Sequence, residues 1–361
     1  SCRTSRRRSP RRRSPRPNPD PNPNPNPDPD PTPNPNPDTG HLRRPHAPRH
    51  AGRRAGARRD AARLALTLTL TLTLTLTLAM LKQAEVVCAT CVGVGSDQLK
   101  PLSFPCVLLD EATQATEASA LVSLCRGARQ VALLGDQHQL PPTTVARHPE
   151  ALVASTPLFT RLLTEGVPAL LLDTQYRMHP AIAQLPADLF YAGRISSGVS
   201  AEQRPPAPGF QWPQPAWPVA LLPVYSGGEA SDGLSKVNRA EVDAVAAVVQ
   251  GLCAAGLSAA EIGVVSPYAA QVRLLRHRLR GCGGGGGGGG DPAAVEVSSV
   301  DGFQGREKEV IVFSCVRASA HGGLGFLADA RRVNVAFTRA KRGLIVLGHP
   351  PTLAREPGTW G

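Results

Sequence analysis

The chain is 361 residues long, carries a formal net charge of +12, and holds 36 Pro, 35 Gly and only 4% aromatic residues. Such a length allows two domains, at roughly 100–200 residues each. Residues 1–80 contain 16 Arg, 5 Asp and neither Lys nor Glu, a net of +11, which leaves a net of +1 for residues 81–361. The basic excess therefore argues for nucleic acid only at the N-terminal segment. Eight Cys without framework spacing argue against a secreted disulfide scaffold and fit a reduced, intracellular chain.

Residues 1–16 (SCRTSRRRSPRRRSPR) suit RNA contact or a nuclear-import patch, or else form a solvated basic arm. Residues 17–39 place Pro at nearly every second position, which removes half the backbone donors and fixes φ. Neither a helix nor a sheet core forms from such a stretch. Residues 66–78 alternate Leu and Thr. Strict period two suits a strand with one apolar face. The apolar stretch from Leu64 to Leu81 is short for a membrane span, and its Thr content argues against one, so no membrane association is expected. The preferred reading is a translated nucleotide repeat without selected structure. The chain opens on Ser1 rather than Met, and an incomplete translation is expected. Basic and Pro-rich residues ahead of the apolar run argue against a signal peptide. Residues 1–80 are thus expected to be a disordered, low-complexity tail.

From Leu81 onward the composition is that of an α/β protein. Apolar runs recur as VVCATCV, PCVLLDEA, QVALLGD, ALLLDTQ, EIGVVSPY, EVSSVDGF, EVIVFSCV and GLIVLGH. Continuous runs of this length predict parallel strands covered on both faces. Chemistry is then expected at their carboxyl ends. Asn238 to Leu252 predicts a helix with Val242, Val245, Ala246 and Val249 on one face. Gln271 to Leu279 predicts a shorter one. The Gly-rich segment 281–290, with eight consecutive glycines at Gly283–Gly290, reads as a surface-loop insertion. Residues 200–218 read as a connection.

The run VLLD ends in Asp110 and Glu111. Adjacent carboxylates after an apolar strand suit a Mg-nucleotide hydrolase: one organises the metal through water, the other accepts a proton from the attacking water. The same pair is common on plain surfaces. VALLG then leads into GDQHQLPPT, where Gln139 suits a hydrogen bond to a γ-phosphate or to the nucleophilic water, or merely stabilises a turn. Arg177, in QYRMHP, can fork onto phosphate oxygens. Gln304, Gly305, Arg306 and Glu307 lie between two apolar runs, and Arg339 precedes the last one.

The ordered series DEATQA, GDQHQLPPT, QYRMHP, VDGFQGREKEVIVFSCVR and RRVNVAFTRAKRGL resembles superfamily-1 helicases. It is most similar to the group of senataxin and the nonsense-mediated-decay helicase, and the resemblance covers roughly Ala84 to Pro350. It implies two RecA-like parallel-sheet domains, with ATP and Mg2+ bound between them. Expected bounds are 81–170 for a truncated first domain and 171–351 for the second. The resemblance also implies roles. Asp110 organises Mg2+ and Glu111 is the general base. Gln139 senses the γ-phosphate, and Tyr176 stacks near the adenine. Arg177 and Arg339 reach the phosphates as arginine fingers. Glu307 binds near the ribose, with Gln304 and Gly305 shaping the loop. Thr90, Ser266 and Ser299 would touch the nucleic-acid backbone, although a strand-end hydroxyl often serves a cap or turn instead. The family moves 5′ to 3′ along single-stranded RNA or DNA, without sequence-specific contacts.

A P-loop needs GxxxxGK followed by Ser or Thr, and residues 1–109 contain no such run. Lys82 and Lys100 lack the preceding glycines. The expected function is thus an ATP-dependent helicase fragment that is inactive alone. The alternative is a non-catalytic module, derived from a helicase, that binds nucleic acid or a partner. A Zn site at Cys88 and Cys91 is disfavoured, because no second CxxC accompanies it and both cysteines read as buried strand residues. A nuclear location is favoured slightly over a cytoplasmic one.

Overall fold

The computed structural model describes residues 75–144, 148–282, 290–319 and 322–360. The arginine-rich and Pro-Asn segments, most of the Leu-Thr repeat and all but the last of the eight glycines lie outside the described residues. Where the repeat enters the described part it is helical, in α1 over residues 75–83, rather than extended.

Two short strands follow, β1 (Cys106–Leu109) and β2 (Gln130–Leu133), paired in parallel with Leu109 level with Leu133. Helix α2 (Glu117–Leu124) connects them, capped by Thr116, whose Oγ1 accepts from Ser119 N. Beyond β2 come α3 (Pro149–Ala154) and α4 (Leu158–Thr164). A small core joins Leu109, Ala112, Ala120 and Leu158. The other side of this pair is bare: Leu108 is 69% exposed and Val131 47%.

The chain then forms β3 (Thr174–Gln175), α5 (Pro180–Phe190) and β4 (Ser196–Ser197), with β3 and β4 paired in parallel. Next come β5 (Val219–Pro223) and the antiparallel hairpin of β6 (Ala230–Asp232) and β7 (Ser235–Val237). A repeating strand and helix pattern follows: α6 (Arg239–Ala254), β8 (Ile262–Ser266), α7 (Ala269–Arg280), β9 (Glu296–Ser299), β10 (Lys308–Ser314), α8 (Ala330–Phe337) and β11 (Ala340–Gly348). Two single turns, α9 (Pro350–Leu353) and α10 (Pro357–Trp360), close the described chain.

Five strands form one parallel sheet in the order β5-β11-β10-β8-β9. Its central strands are buried on both faces, which is why they read as continuous apolar runs. Side chains alternate between the faces. Val265, Ile311, Phe313, Leu344 and Val346 pack with α5 and α8. Ile262, Val264, Val310, Val312, Ile345 and Leu347 pack with α6 and α7. The predicted stripe of α6 is buried as expected, and Asn238 caps the helix by accepting from Glu241 N at 3.2 Å. Such a cap contributes about 1 kcal/mol. This sheet is the mixed α/β, parallel architecture the sequence predicts.

Two predicted strands are absent. VVCATCV is irregular and leads into a turn at Gly93–Gly95, and ALLLD stays unpaired up to β3. An extended run becomes a strand only when a neighbour satisfies its backbone groups. Leu170 and Leu172 are accordingly 90% and 76% exposed. Cys88 is exposed and Cys91 half-buried, so they are not the buried strand cysteines expected. Thr75–Gly361 forms one compact unit. Among the described residues no helix is long and apolar enough to cross a membrane.

Candidate functional site

The motif residues meet where the carboxyl ends of β1 and β2 face the amino ends of β10 and β11. For the five-stranded sheet this overturns the expectation of chemistry at the carboxyl ends. Glu307 immediately precedes β10, and Arg339 immediately precedes β11. The parallel crossover brings both to the amino edge, whereas Ser266 and Ser299, side by side in register, end their strands at the opposite edge.

Asp110 and Glu111 leave β1 in a tight turn, with Glu111 in the left-handed region at φ 51. Glu111 N donates to Asp110 Oδ1 at 3.0 Å, and Gln114 Nε2 donates to Glu111 Oε2 at 2.8 Å. A non-glycine residue held at positive φ costs about 1–3 kcal/mol and needs such bonds to persist.

Arg177 sits between β3 and α5. Its Nε donates to Glu307 Oε2 at 2.5 Å and its Nη1 to Thr338 O at 2.9 Å. Lys341 Nζ, on β11, also bonds Glu307, at 2.8 Å. The Lys341 ammonium, with Arg177 beside it, holds the Glu307 carboxyl below its ordinary range against a desolvation that acts the other way. Arg339 is almost fully buried. Its Nε donates to Val335 O at 2.9 Å, its Nη2 to Thr338 Oγ1 at 2.9 Å and its Nη1 to Arg306 O at 3.4 Å. Burial first, then the nearby Arg177 charge, lowers its pKa to about 10, while Glu111 and Glu307 oppose that shift. Arg339 therefore remains a cation at neutral pH, within electrostatic reach of Glu111.

Gln139 lies in the loop after β2. Its Nε2 donates to Asp136 Oδ2 at 2.9 Å, and its buried Oε1 has no hydrogen-bond partner among the described residues. Gln304 has an equally orphaned Nε2, and Gly305 adopts φ 75. Gly305 permits that turn without a Cβ penalty. Tyr176 is 66% exposed and its ring lies against Gly198, where a Cβ would collide with it. His179 is not a site group. It caps α5, with Nδ1 accepting from Ala181 N at 3.0 Å, and burial lowers its pKa.

The proposed nucleic-acid residues do not join this cluster. Thr90 Oγ1 accepts from Gly93 N at 3.0 Å and Ser299 Oγ from Gly302 N at 3.2 Å, both turn bonds. Ser266 is fully buried and its Oγ has no partner among the described residues, so its hydroxyl does not reach a surface-bound strand. Among the described residues no group of three or more His, Cys, Asp or Glu converges as a metal cage. Asp110 alone suits an ion held through water.

Sequence reasoning missed Asp136, Tyr191, Asn334, Thr338 and Lys341. Four of these lie inside or directly beside the quoted motifs but suggest no role by residue type. Tyr191 lies outside every motif.

A parallel sheet whose strand-edge loops gather two carboxylates and two arginines is a RecA-like α/β arrangement. Comparison gives the family. Residues 154–351 match one AAA domain model and residues 44–147 a second, which begins inside the segment read as tail. The chain belongs to this AAA-domain family, as a superfamily-1 helicase-type member of the regulator-of-nonsense-transcripts group. It is 40% identical over 279 residues to the "Regulator of nonsense transcripts 1 homolog" of Drosophila melanogaster, an alignment covering 77% of this chain and 23% of that protein. The Dictyostelium discoideum "Regulator of nonsense transcripts 1" is 39% identical, over 77% of this chain and 21% of that one. The "ATP-dependent helicase upf1" of Schizosaccharomyces pombe is 40% identical, over 77% and 30%. The chain thus spans about a quarter of the length of the curated relatives it matches. Among solved structures, an arterivirus nonstructural protein 10 (helicase) matches 68% of this chain and 40% of its own, at 16% identity and a TM-score of 0.36.

Proposed function

We propose that the chain is part of a nucleic-acid-stimulated ATPase that moves 5′ to 3′ along single-stranded RNA or DNA, and that it supplies one wall of the ATP site. The observation that carries this reading is the convergence of Glu111, Arg177, Glu307 and Arg339 from three separated segments. Clustered cations fixed by backbone carbonyls suit a polyphosphate.

The residues fit their proposed roles as follows. Bound Mg2+ would supply charge neutralisation at the phosphates, and Asp110 would hold it through water. Glu111 takes the proton of the attacking water. Arg339 is already locked in place, and Arg177 is released to phosphate when it exchanges Glu307. Glu307, kept ionised by Lys341, remains to accept from a ribose hydroxyl. Tyr176 offers an exposed ring to the adenine, and Gln304 has a free amide in the loop shaped by Gly305. Nucleic acid would lie along the opposite edge, near Ser299.

The fit is incomplete on one side. The sequence holds no GxxxxGK run before Asp110. Without that lysine and its glycine amides, most of the polyphosphate charge lacks a partner. We therefore propose that these 361 residues alone do not turn over ATP and act as a nucleic-acid-binding module. Two measurements on the purified chain test this: phosphate release with and without poly(U), and fluorescence anisotropy of a labelled single-stranded RNA. The expected result is RNA binding that weakens with salt, without phosphate release. RNA-stimulated hydrolysis would overturn the inactivity, and absence of RNA binding the binding role.

A further inference from the structure

The strongest unassigned feature is a hydrogen-bond relay joining the loop after β2 to α5 and α8. It begins at Asn334, fully buried on α8, whose Nδ2 donates to His138 O at 2.9 Å and to the Tyr191 hydroxyl at 2.8 Å. Tyr191, at the C-terminal cap of α5, donates to Asp136 Oδ2 at 2.5 Å. The Tyr191 ring stands edge-on to His138, with centroids 5.3 Å apart. Asp136 also accepts from His138 N at 2.9 Å and from Gln139 Nε2 at 2.9 Å.

The chemistry of each atom fixes the direction of the relay. A backbone carbonyl only accepts, so His138 O dictates that Asn334 presents its Nδ2. Tyr191 then receives a hydrogen from Asn334 and sends its own to Asp136. An ionised carboxylate also only accepts, so Asp136 dictates that Gln139 presents its Nε2. Gln139 acts as a second donor to the Tyr191 oxygen, against the burial and the Asp136 charge that keep this phenol protonated. Both Nε2 hydrogens are thereby drawn inward. Oε1, buried and without a partner among the described residues, is the one bonding position this side chain has left.

We propose that Asp136, Tyr191 and Asn334 are positioning residues that commit Gln139 to act only as a hydrogen-bond acceptor. This rests on the nucleotide-site reading above and deepens it. A group that only accepts can take a hydrogen from the attacking water and orient it. It cannot bond a phosphate oxygen, which also only accepts. Of the two roles the sequence leaves open for Gln139, the relay selects the water.

Exchange of the Gln139 side-chain hydrogens in the 15N-labelled chain tests this without any nucleotide. Loss of one amide pair in Gln139→Leu assigns the signals. In the unmodified chain both hydrogens should exchange at least about tenfold more slowly than those of an exposed glutamine. Tyr191→Phe removes one acceptor and should speed one hydrogen by about tenfold, whereas Tyr268→Phe, outside the relay, should not. Asn334→Ala, which removes the donor to Tyr191, gives a second reading should Tyr191→Phe not fold. Asp136→Asn can donate, and should turn the amide and release both hydrogens. Free exchange in the unmodified chain would overturn the proposal, as would rates unmoved by Tyr191→Phe and Asn334→Ala. Failure of RNA binding or an unexpected ATPase would bear on the nucleotide-site reading and leave these rates unchanged.

Discussion

Glu241 gives the sharpest test of how this fold is held together. It is fully buried at the start of α6. Its Oε2 accepts from Ser314 Oγ at 2.6 Å and from Val316 N at 2.8 Å, and its Oε1 from Asn238 Nδ2 at 3.4 Å. The Cys315 thiol, also buried, is the remaining titratable neighbour, and its own pKa is pushed up mainly by burial and further by Glu241. No cation pairs with Glu241 among the described residues. Burial therefore outweighs the bonds from Ser314 and Val316, and its pKa rises from 4.5 to about 7.

A folded-state pKa above the unfolded value means that the native state binds the proton more tightly. The resulting stabilisation is complete below about pH 4.5 and is lost as pH rises through about 7. At 1.36 kcal/mol per unit, the loss is about 3 kcal/mol. Glu241→Gln removes the titration and keeps an acceptor for Ser314 and Val316. Urea unfolding of both proteins at about pH 5 and about pH 8 measures the difference. His179, whose depressed pKa acts in the opposite direction, is common to both and cancels. The unmodified chain should lose about 3 kcal/mol more than the variant between those two values. Parallel pH dependence in the two proteins would refute the reasoning.

Other expectations follow from single contacts. Gly209 has φ +84, and a Cβ there would lie 2.7 Å from Gly251 O and 2.9 Å from Leu252 Cα. Gly209→Ala should cost about 2 kcal/mol, read from the urea midpoint. Leu108→Lys places a charge on the bare side of the β1–β2 pair. It should reduce light scattering on concentration and change stability by less than about 0.5 kcal/mol. Phe303 is fully buried beneath the five-stranded sheet, and Phe303→Ala should cost about 3–5 kcal/mol in the same urea assay.

What was legible in the sequence is what local pattern alone decides. Helix α6 announced itself because Asn238 caps it and its valines recur at helical spacing. Strands β8, β10 and β11 did so because burial on both faces demands unbroken apolar runs. VVCATCV and ALLLD carry the same pattern and fail as strands, because pairing depends on a neighbour that the pattern does not contain. The site divides the same way. Asp110, Glu111, Gln139, Arg177, Glu307 and Arg339 could be found because each lies in a compact motif. The edge at which they meet could not, since it depends on the crossover that follows β9. Tyr191 reaches Asp136 across 55 positions, and Asn334 reaches His138 across 196. Nothing in either local window foretells such a bond.

The two arginines show why geometry adds to the motif. By residue type they are interchangeable cations. In the fold, Arg339 is 3% exposed and held by three bonds, two of them to backbone carbonyls, so moving it would strand a buried charge. The Arg177–Glu307 pair has side chains 34% and 41% exposed. Solvent screens a pair of that kind, and it contributes only about 0–1 kcal/mol. Exchanging Glu307 for a phosphate oxygen is therefore inexpensive, and Lys341 remains to neutralise the carboxylate left behind. One arginine thus suits a fixed electrostatic wall, and the other suits a contact made and broken as an anion arrives and leaves.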